Sequence, residues 1–456
     1  MDYAIVLAAG EGTRMKSGRH KVLHEVCGRP LIEYSIDLAR AAGVERPIVV
    51  IGDKAEQIRG HLGESAVYAR QDFEKGYGTG AAACAAEGFL NDDSGLCFLM
   101  AGDAPMFKPE SLLALRRAVE GGAAAAALLA EMEKPFGYGR AILRGDRLVD
   151  IVEEAAASEE QRRIHLVNVS LYCVKTALLK AAMQRLKPHP PKNELYLTDI
   201  VPILTKMGEV VRAVTCAEED ALGVNDRLQL ARAQAAMQGR ILEEQMRAGV
   251  TIIDPANTYI DFGVEIGADT VIYPGCLLQK GTKIGPNCTI LQNCRIAGSI
   301  LEEGVRVESS TLLEAHVGAG STVGPNAHLR PGAVIGPKCR IGDFVEIKNS
   351  NIGAGTKISH LTYVGDADLG EGVNLGCGVV FSNYDGKAHL RSRVGDRAFI
   401  GCNVNLVAPV VVGEEAYIGA GSTITQDVEP GALAIARERQ RSIPGWVEKR
   451  KKQGKL

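Results

Sequence analysis

Two different spacings of apolar residues divide this chain of 456 residues. Up to about residue 226, short apolar runs alternate with stretches that repeat about every 3.6 residues. Ala4–Ala9, Pro47–Ile51, Leu96–Met100 and Ala124–Ala130 read as buried strands, and Leu31–Ala42, Gly80–Leu90 and Leu112–Glu120 as amphipathic helices. That alternation predicts an α/β, Rossmann-like domain with a mostly parallel sheet. The alanine run from Ala123 has intrinsic helix preference, but its place between a helix and a turn favours a strand. Residues 227–249 predict a long, weakly amphipathic connecting helix that Gly249 stops.

From residue 250 the period becomes six. Aliphatic residues recur at Ile266, Ile272, Leu278, Ile284, Ile290 and Ile296, then at Leu301, Val307 and Leu313. The series continues through Val317, Val323, Leu329, Ile335, Ile341 and Ile347, and after a phase slip through Ile352, Ile358, Val364, Leu369 and Leu375. A loop at roughly 382–393 interrupts it before Val394, Ile400, Leu406, Val412, Ile418 and Ile424 resume. Hexapeptide repeats predict a parallel β-helix whose coils stack an aliphatic core. Ten coils at the spacing of neighbouring strands would rise about 50 Å. The expected organisation is therefore 1–226, a helix at 227–249, and a β-helix with its tail at 250–456.

Composition changes this picture little. Hydrophobic residues make up 46% and charged residues 23%, an ordinary globular balance, and the 52 glycines suit many tight turns. A net charge of -3 gives no general attraction to nucleic acid or an anionic membrane. The basic tail Lys449-Arg450-Lys451-Lys452 reads as a solvated terminus. No apolar stretch approaches the roughly 20 residues of a membrane helix, and Met1–Leu7 does not resemble a secretory leader. Eleven cysteines without a CxxC pair point to reduced thiols and a cytoplasmic protein. Cys276, Cys288, Cys294 and Cys339 each fall four residues after a repeat aliphatic, where a small packing residue is expected.

The densest local motif is Leu7-Ala8-Ala9-Gly10-Glu11-Gly12-Thr13-Arg14-Met15, directly after the first strand. Its glycines let backbone N–H groups approach a phosphate, with Arg14 and Lys21 as positive charges; as a bare pattern it also fits a simple tight turn. With Lys21-Val22-Leu23, Gly78-Thr79-Gly80, Ala101-Gly102-Asp103, Gly137-Tyr138-Gly139-Arg140, Glu153, Asn168, Tyr196-Leu197-Thr198-Asp199 and Gly223-Val224-Asn225, the region resembles sugar-1-phosphate nucleotidylyltransferases. Joined to the hexapeptide half, residues 1–440 resemble the bifunctional N-acetylglucosamine-1-phosphate uridylyltransferase/glucosamine-1-phosphate N-acetyltransferases.

The resemblance implies an enzyme that makes UDP-N-acetylglucosamine, a peptidoglycan precursor, from glucosamine-1-phosphate, acetyl-CoA and UTP. N-acetylglucosamine-1-phosphate is the intermediate. It implies Mg²⁺ on Asp103 and Asn225, which as oxygen donors suit that hard ion. It also implies backbone contacts to uracil and sugar from Leu7, Ala8, Ala9 and Gly10, and phosphate contacts through Arg14 and Lys21. Gly78 and Thr79 would select uracil, and Gly139, Glu153 and Asn168 would hold the sugar. Relatives carry a glutamine five residues before the Gly-Thr pair. Here Gln71 lies seven before Gly78, so that role requires a two-residue insertion.

In the other half the resemblance implies His360 as general base, which suits an amine that must lose a proton before attacking a thioester. Arg330, Lys348, Tyr363 and Asn374 would hold the sugar phosphate. Cys377, Asn383, Tyr384, Cys402, Ala420 and Arg437 would contact acetyl-CoA, with Cys377 and Cys402 standing where many relatives have alanine and serine. The resemblance further implies a left-handed coil and a homotrimer, with no nucleic-acid or membrane partner.

Overall fold

A computed structural model describes residues 1–74, 76–190 and 193–456. The chain divides into two compact units, Met1–Gly239 and Arg240–Leu456.

The first unit is built on a nine-stranded sheet. In chain order its strands are β1 (Tyr3–Ala8), β2 (Ile48–Ile51), β3 (Val67–Arg70), β4 (Leu96–Ala101) and β5 (Ala125–Glu131), followed by β6 (Arg140–Arg144), β7 (Arg147–Val152), β8 (Leu166–Lys175) and β9 (Val211–Cys216). Their spatial order is β3-β2-β1-β4-β8-β5-β9-β7-β6. The first four are parallel, as the βα alternation requires. Strand β8 then enters antiparallel between β4 and β5, and β6 and β7 form an antiparallel hairpin at the edge. The alanine run is a strand because it is buried on both faces. Ala126 packs into one core cluster, Ala125 and Ala127 into the other. Tertiary burial overrides alanine's helix preference there. Strand β8 is bulged between Asn168 and Tyr172, with Ser170 at φ +61°.

Helix Leu31–Ala41 begins where expected, and Ala42 caps it. The segment predicted as one helix over Gly80–Leu90 is a helix over Thr79–Ala85 and a 3₁₀ turn over Glu87–Phe89. The third predicted helix begins earlier, at Pro109, because proline suits a first helical turn. A helix spans Arg227–Arg247, and Gly249 follows it at φ +96°.

The second unit is a parallel β-helix of three sheets, with 11, 10 and 9 strands. In the first sheet Ile272, Ile290, Val307, Val323, Ile341, Ile358, Leu375, Ile400 and Ile418 stand opposite one another in successive coils. The second sheet aligns Leu278, Ile296, Leu312 and Leu329. The inward residue is therefore Leu312, fully buried, and not Leu313, because this coil is shorter than its neighbours. Phe381, also buried, fills the position opposite Leu406 just before the loop, which covers 383–391.

One inward column carries Thr270, Cys288, Ser321, Cys339 and Thr356, all buried. Thr270 Oγ1 donates to Gly285 O at 2.9 Å and accepts from Cys288 N at 3.0 Å. Ser321 and Thr356 form the same bridges. The Cys288 and Cys339 thiols donate to Glu302 O and Gly353 O at 3.1 Å, doing a hydroxyl's work. Cys276 and Cys294 are buried as packing residues too.

Candidate functional site

In the first unit the C-terminal edge of β1 and β4 opens into a cleft of about 720 Å³. Ligands of open α/β sheets bind at that edge. Leu7, Ala9, Gly10, Arg14, Lys21, Gln71, Gly78, Thr79, Asp103, Gly139, Glu153, Asn168 and Asn225 all line it. Ala8 does not; its side chain is buried in the core cluster behind the strand, so only its backbone remains for a ligand. Gln71 is buried and reaches the cleft despite the insertion, with its amide donating to Gly76 O at 3.2 Å.

Several local devices hold these groups. Gly12 turns the loop at φ +63°, and a Cβ there would lie 2.6 Å from Lys21 Cβ. Only glycine both adopts that turn and admits Lys21. Lys21 makes an ion pair with Asp103, and its Nζ lies 3.2 Å from Asn225 Oδ1, which also accepts from Arg14 Nη2 at 3.0 Å. Val224 N donates to Asp103 O at 2.9 Å and Gln229 Oε1 accepts from Asn225 N at 2.7 Å, so the two oxygen donors are fixed through backbone. His20, missed in the sequence, is buried; its ring accepts from Val22 N at the head of the Lys21 turn. Burial and the neighbouring Lys21 charge pull its pKa down to about 4, which keeps it a neutral acceptor.

At the cleft's other end Gly78, at φ +100°, lies against Leu195; a Cβ would meet Leu195 O at 2.5 Å. Thr79 Oγ1 accepts from Leu197 N at 3.0 Å. Glu153 accepts from Thr198 Oγ1 at 2.9 Å. Burial pushes its carboxyl above the usual range and that hydrogen bond opposes the shift. Asn168 N donates to Gly139 O at 2.8 Å.

In the second unit two columns gather the remaining residues. Two positions after the aliphatic row of the first sheet, successive coils carry Asp343, His360, Cys377, Cys402, Ala420 and Ala436, beside Arg437. Asp343 pairs with His360 in register, and Asn403 N donates to Cys377 O at 2.8 Å. Cys402 is exposed and Cys377 half-buried. Leu361 turns the corner at φ +44°, from His360 into the second sheet. There the equivalent column is Asn349, Asp366 and Asn383. Asp366 accepts from both asparagine amides, at 2.6 and 2.5 Å. Burial raises the Asp366 carboxyl, but these hydrogen bonds and Lys348 outweigh it and hold it below the usual carboxylate range.

Around this column Arg330 Nη1 pairs with Glu346 Oε1 at 2.7 Å, and Asn383 Nδ2 donates to the Tyr363 hydroxyl at 3.4 Å. Gly365 makes room for both; a Cβ there would lie 2.3 Å from the Tyr363 hydroxyl. Tyr384 packs on His389 with ring centroids 5.1 Å apart. Asn374 lies on the outer side of the first sheet, opposite Lys357. The sequence reading missed Asp343, Asn349, Asp366 and His389. For the first three, their shared position two residues after the aliphatic row was the available signal.

Residues 4–171 match the MobA-like NTP transferase domain. Residues 263–298, 314–349 and 391–426 match the bacterial transferase hexapeptide (six repeats). Fold and site thus define a two-part transferase, with a nucleotidyltransferase domain joined to a hexapeptide acyltransferase domain. The chain is similar over nearly its full length to proteins called bifunctional protein GlmU. That of Clostridium botulinum (strain 657 / Type Ba4) is 45% identical over 450 residues, covering 98% of both chains. That of Brevibacillus brevis is 46% identical over 457 residues, covering 99% of this chain and 98% of the relative. That of Caldanaerobacter subterraneus subsp. tengcongensis is 47% identical over 456 residues, covering 99% of both. The chain belongs to the GlmU family and is a bifunctional transferase.

Proposed function

We propose that the second unit transfers acetyl from acetyl-CoA to the amine of glucosamine-1-phosphate, and that the first unit then joins N-acetylglucosamine-1-phosphate to the uridylyl group of UTP. Residues 1–226 would carry uridylyl transfer, 227–249 would connect, and 250–456 would carry acetyl transfer. The observation that supports this best is the gathering of Arg14, Lys21, Asp103 and Asn225 in one cleft while His360 stands in a separate column of the β-helix.

In the cleft an anionic sugar phosphate must attack the α-phosphorus of a triphosphate, so charge neutralisation is the main task. Arg14 and Lys21 hold the phosphates; Gly139, Glu153 and Asn168 hold the sugar, and Gln71, Gly78 and Thr79 the uracil. Asp103 and Asn225 already converge on one cation, the Lys21 ammonium, and their oxygen chemistry fits Mg²⁺. Among the described residues no cluster of three or more His, Cys, Asp or Glu could hold a metal, so phosphate and water would complete the shell. When bound, Mg²⁺ supplies charge neutralisation on the phosphates.

In the β-helix Arg330 and Lys348 hold the sugar phosphate, and Tyr363 and Asn374 orient the sugar. The acetyl donor runs along the column from Cys377 through Cys402 and Ala420 to Arg437, with Asn383 and Tyr384 beside it. Backbone groups at Cys377 and Cys402 serve there without a hydroxyl. We place the enzyme in the cytoplasm, where reduced thiols such as its free cysteines persist.

A mixture of glucosamine-1-phosphate, acetyl-CoA, UTP and Mg²⁺ should release free thiol and then pyrophosphate. EDTA should abolish pyrophosphate release and leave thiol release nearly intact, because thioester aminolysis needs no metal. Equal loss of both products would defeat the two-site reading.

We further propose a homotrimer. On one chain the His360 side chain is 53% exposed and that of Arg330 39%, leaving the site open for a neighbouring copy to complete. Light scattering should give three times the chain mass. A fully active monomer would refute this.

A further inference from the structure

We propose that Asp343 is a positioning residue for His360, fixing the imidazole with its proton on Nδ1 and its Nε2 bare toward the substrate amine. The proposal rests on His360 being the general base. Asp343 and His360 close the strands Arg340–Asp343 and Lys357–His360 and stand opposite each other in adjacent coils. His360 Nδ1 lies 2.6 Å from Asp343 Oδ1. An ionised carboxylate only accepts, so at this distance a proton belongs on Nδ1, and in the neutral ring Nε2 is then the bare nitrogen. The hydrogen bond from His360, helped by Arg340, holds the Asp343 carboxyl below the usual range, so it stays ionised near neutrality.

The geometry serves the chemistry in a definite order. As the amine nitrogen bonds to the thioester carbonyl carbon, its proton passes to Nε2. The C–S bond breaks, and the imidazolium returns that proton to the leaving thiolate, giving amide and CoA thiol. Asp343 accepts from Nδ1 throughout and stabilises the transient imidazolium without taking a proton. Both side chains are more than a third exposed, so the pair adds little to folding stability, and its contribution lies in orientation.

The test compares Asp343→Ala, His360→Ala and the double variant as full-length protein. Asp343→Ala should lower kcat for acetyl transfer about tenfold, a part of the ~10²–10⁴-fold that a general base contributes, with both KM values within about twofold. In the His360→Ala background the same substitution should change nothing further, since residues acting as one unit are non-additive. Should Asp343→Ala not assemble, Asp343→Asn keeps the shape and should still lose at least about threefold in kcat. An unchanged kcat, a loss confined to KM, or an equal loss without His360 overturns the proposal. Normal acetyl transfer by His360→Ala alone would instead defeat the reading of His360 as base.

Discussion

His360→Ala is expected to lower acetyl transfer by about 10²–10⁴-fold, or about 3–5 kcal/mol of transition-state stabilisation, while uridylyl transfer stays normal. The amine nitrogen of glucosamine-1-phosphate must shed a proton as it becomes the amide, and the substitution removes the imidazole nitrogen that takes it. The substituted side chain is exposed at the end of a strand, outside the aliphatic rows, so coil register should survive. Thiol release from acetyl-CoA and glucosamine-1-phosphate measures one activity; pyrophosphate release from UTP and N-acetylglucosamine-1-phosphate measures the other. Loss of both in a folded protein would require one composite site.

Asp103→Asn is the reciprocal change, with an expected loss of about 10²-fold or more in uridylyl transfer and normal acetyl transfer. It removes one anionic oxygen and leaves the Lys21 ammonium facing two neutral carboxamides, the substituted side chain and that of Asn225. The backbone bond from Val224 N to Asp103 O does not depend on the side chain, so the loop should keep its place. Part of the lost rate should return at raised Mg²⁺, because the defect lies in affinity for the cation. A rate unchanged at low Mg²⁺ would remove Asp103 from the metal site.

The parts of the fold that sequence made legible are those with a long, uniform period. Six-residue spacing exposed the aliphatic rows of the β-helix, because each coil repeats the same demand for an inward branched side chain. Reading failed where a coil changes length. Leu313 fits a strict count of six from Val307, but the shortened coil turns Leu312 inward. Phe381 was passed over because an aromatic at the loop edge breaks the aliphatic rule, yet it packs opposite Leu406. In the first unit the parallel strands carry apolar runs that sequence displays. The antiparallel placement of Leu166–Lys175 leaves no local trace, since pairing direction depends on the path between strands.

For the candidate sites, every cleft residue that the motifs singled out, except Ala8, lines the cleft, Gln71 included. Strand alternation turns the Ala8 side chain into the core while Leu7 and Ala9 line the cleft, which leaves Ala8 only the backbone contact expected of it. Asp343 and Asp366 escaped notice because isolated aspartates look like surface charge. Their partners His360, Asn349 and Asn383 lie one coil away, a distance that only the stacked register converts into hydrogen bonds.

The loop at 383–391 shows how such a scaffold accepts novelty. It enlarges a single coil, and both its ends are pinned, by Phe381 on one side and on the other by Val394, which pairs with Leu369 and Val412. Residues added at that corner swell outward and are not passed to later coils, because each strand takes its register laterally from its neighbours. One residue added within a strand would instead turn the following alternation inside out. The exposed residues 385–388 can therefore change in number without recounting the prism beneath, whereas Asn383, buried against Asp366, is held to the coils. Loop length and coil count are thus set in separate places, and selection or design can revise the first without reopening the second.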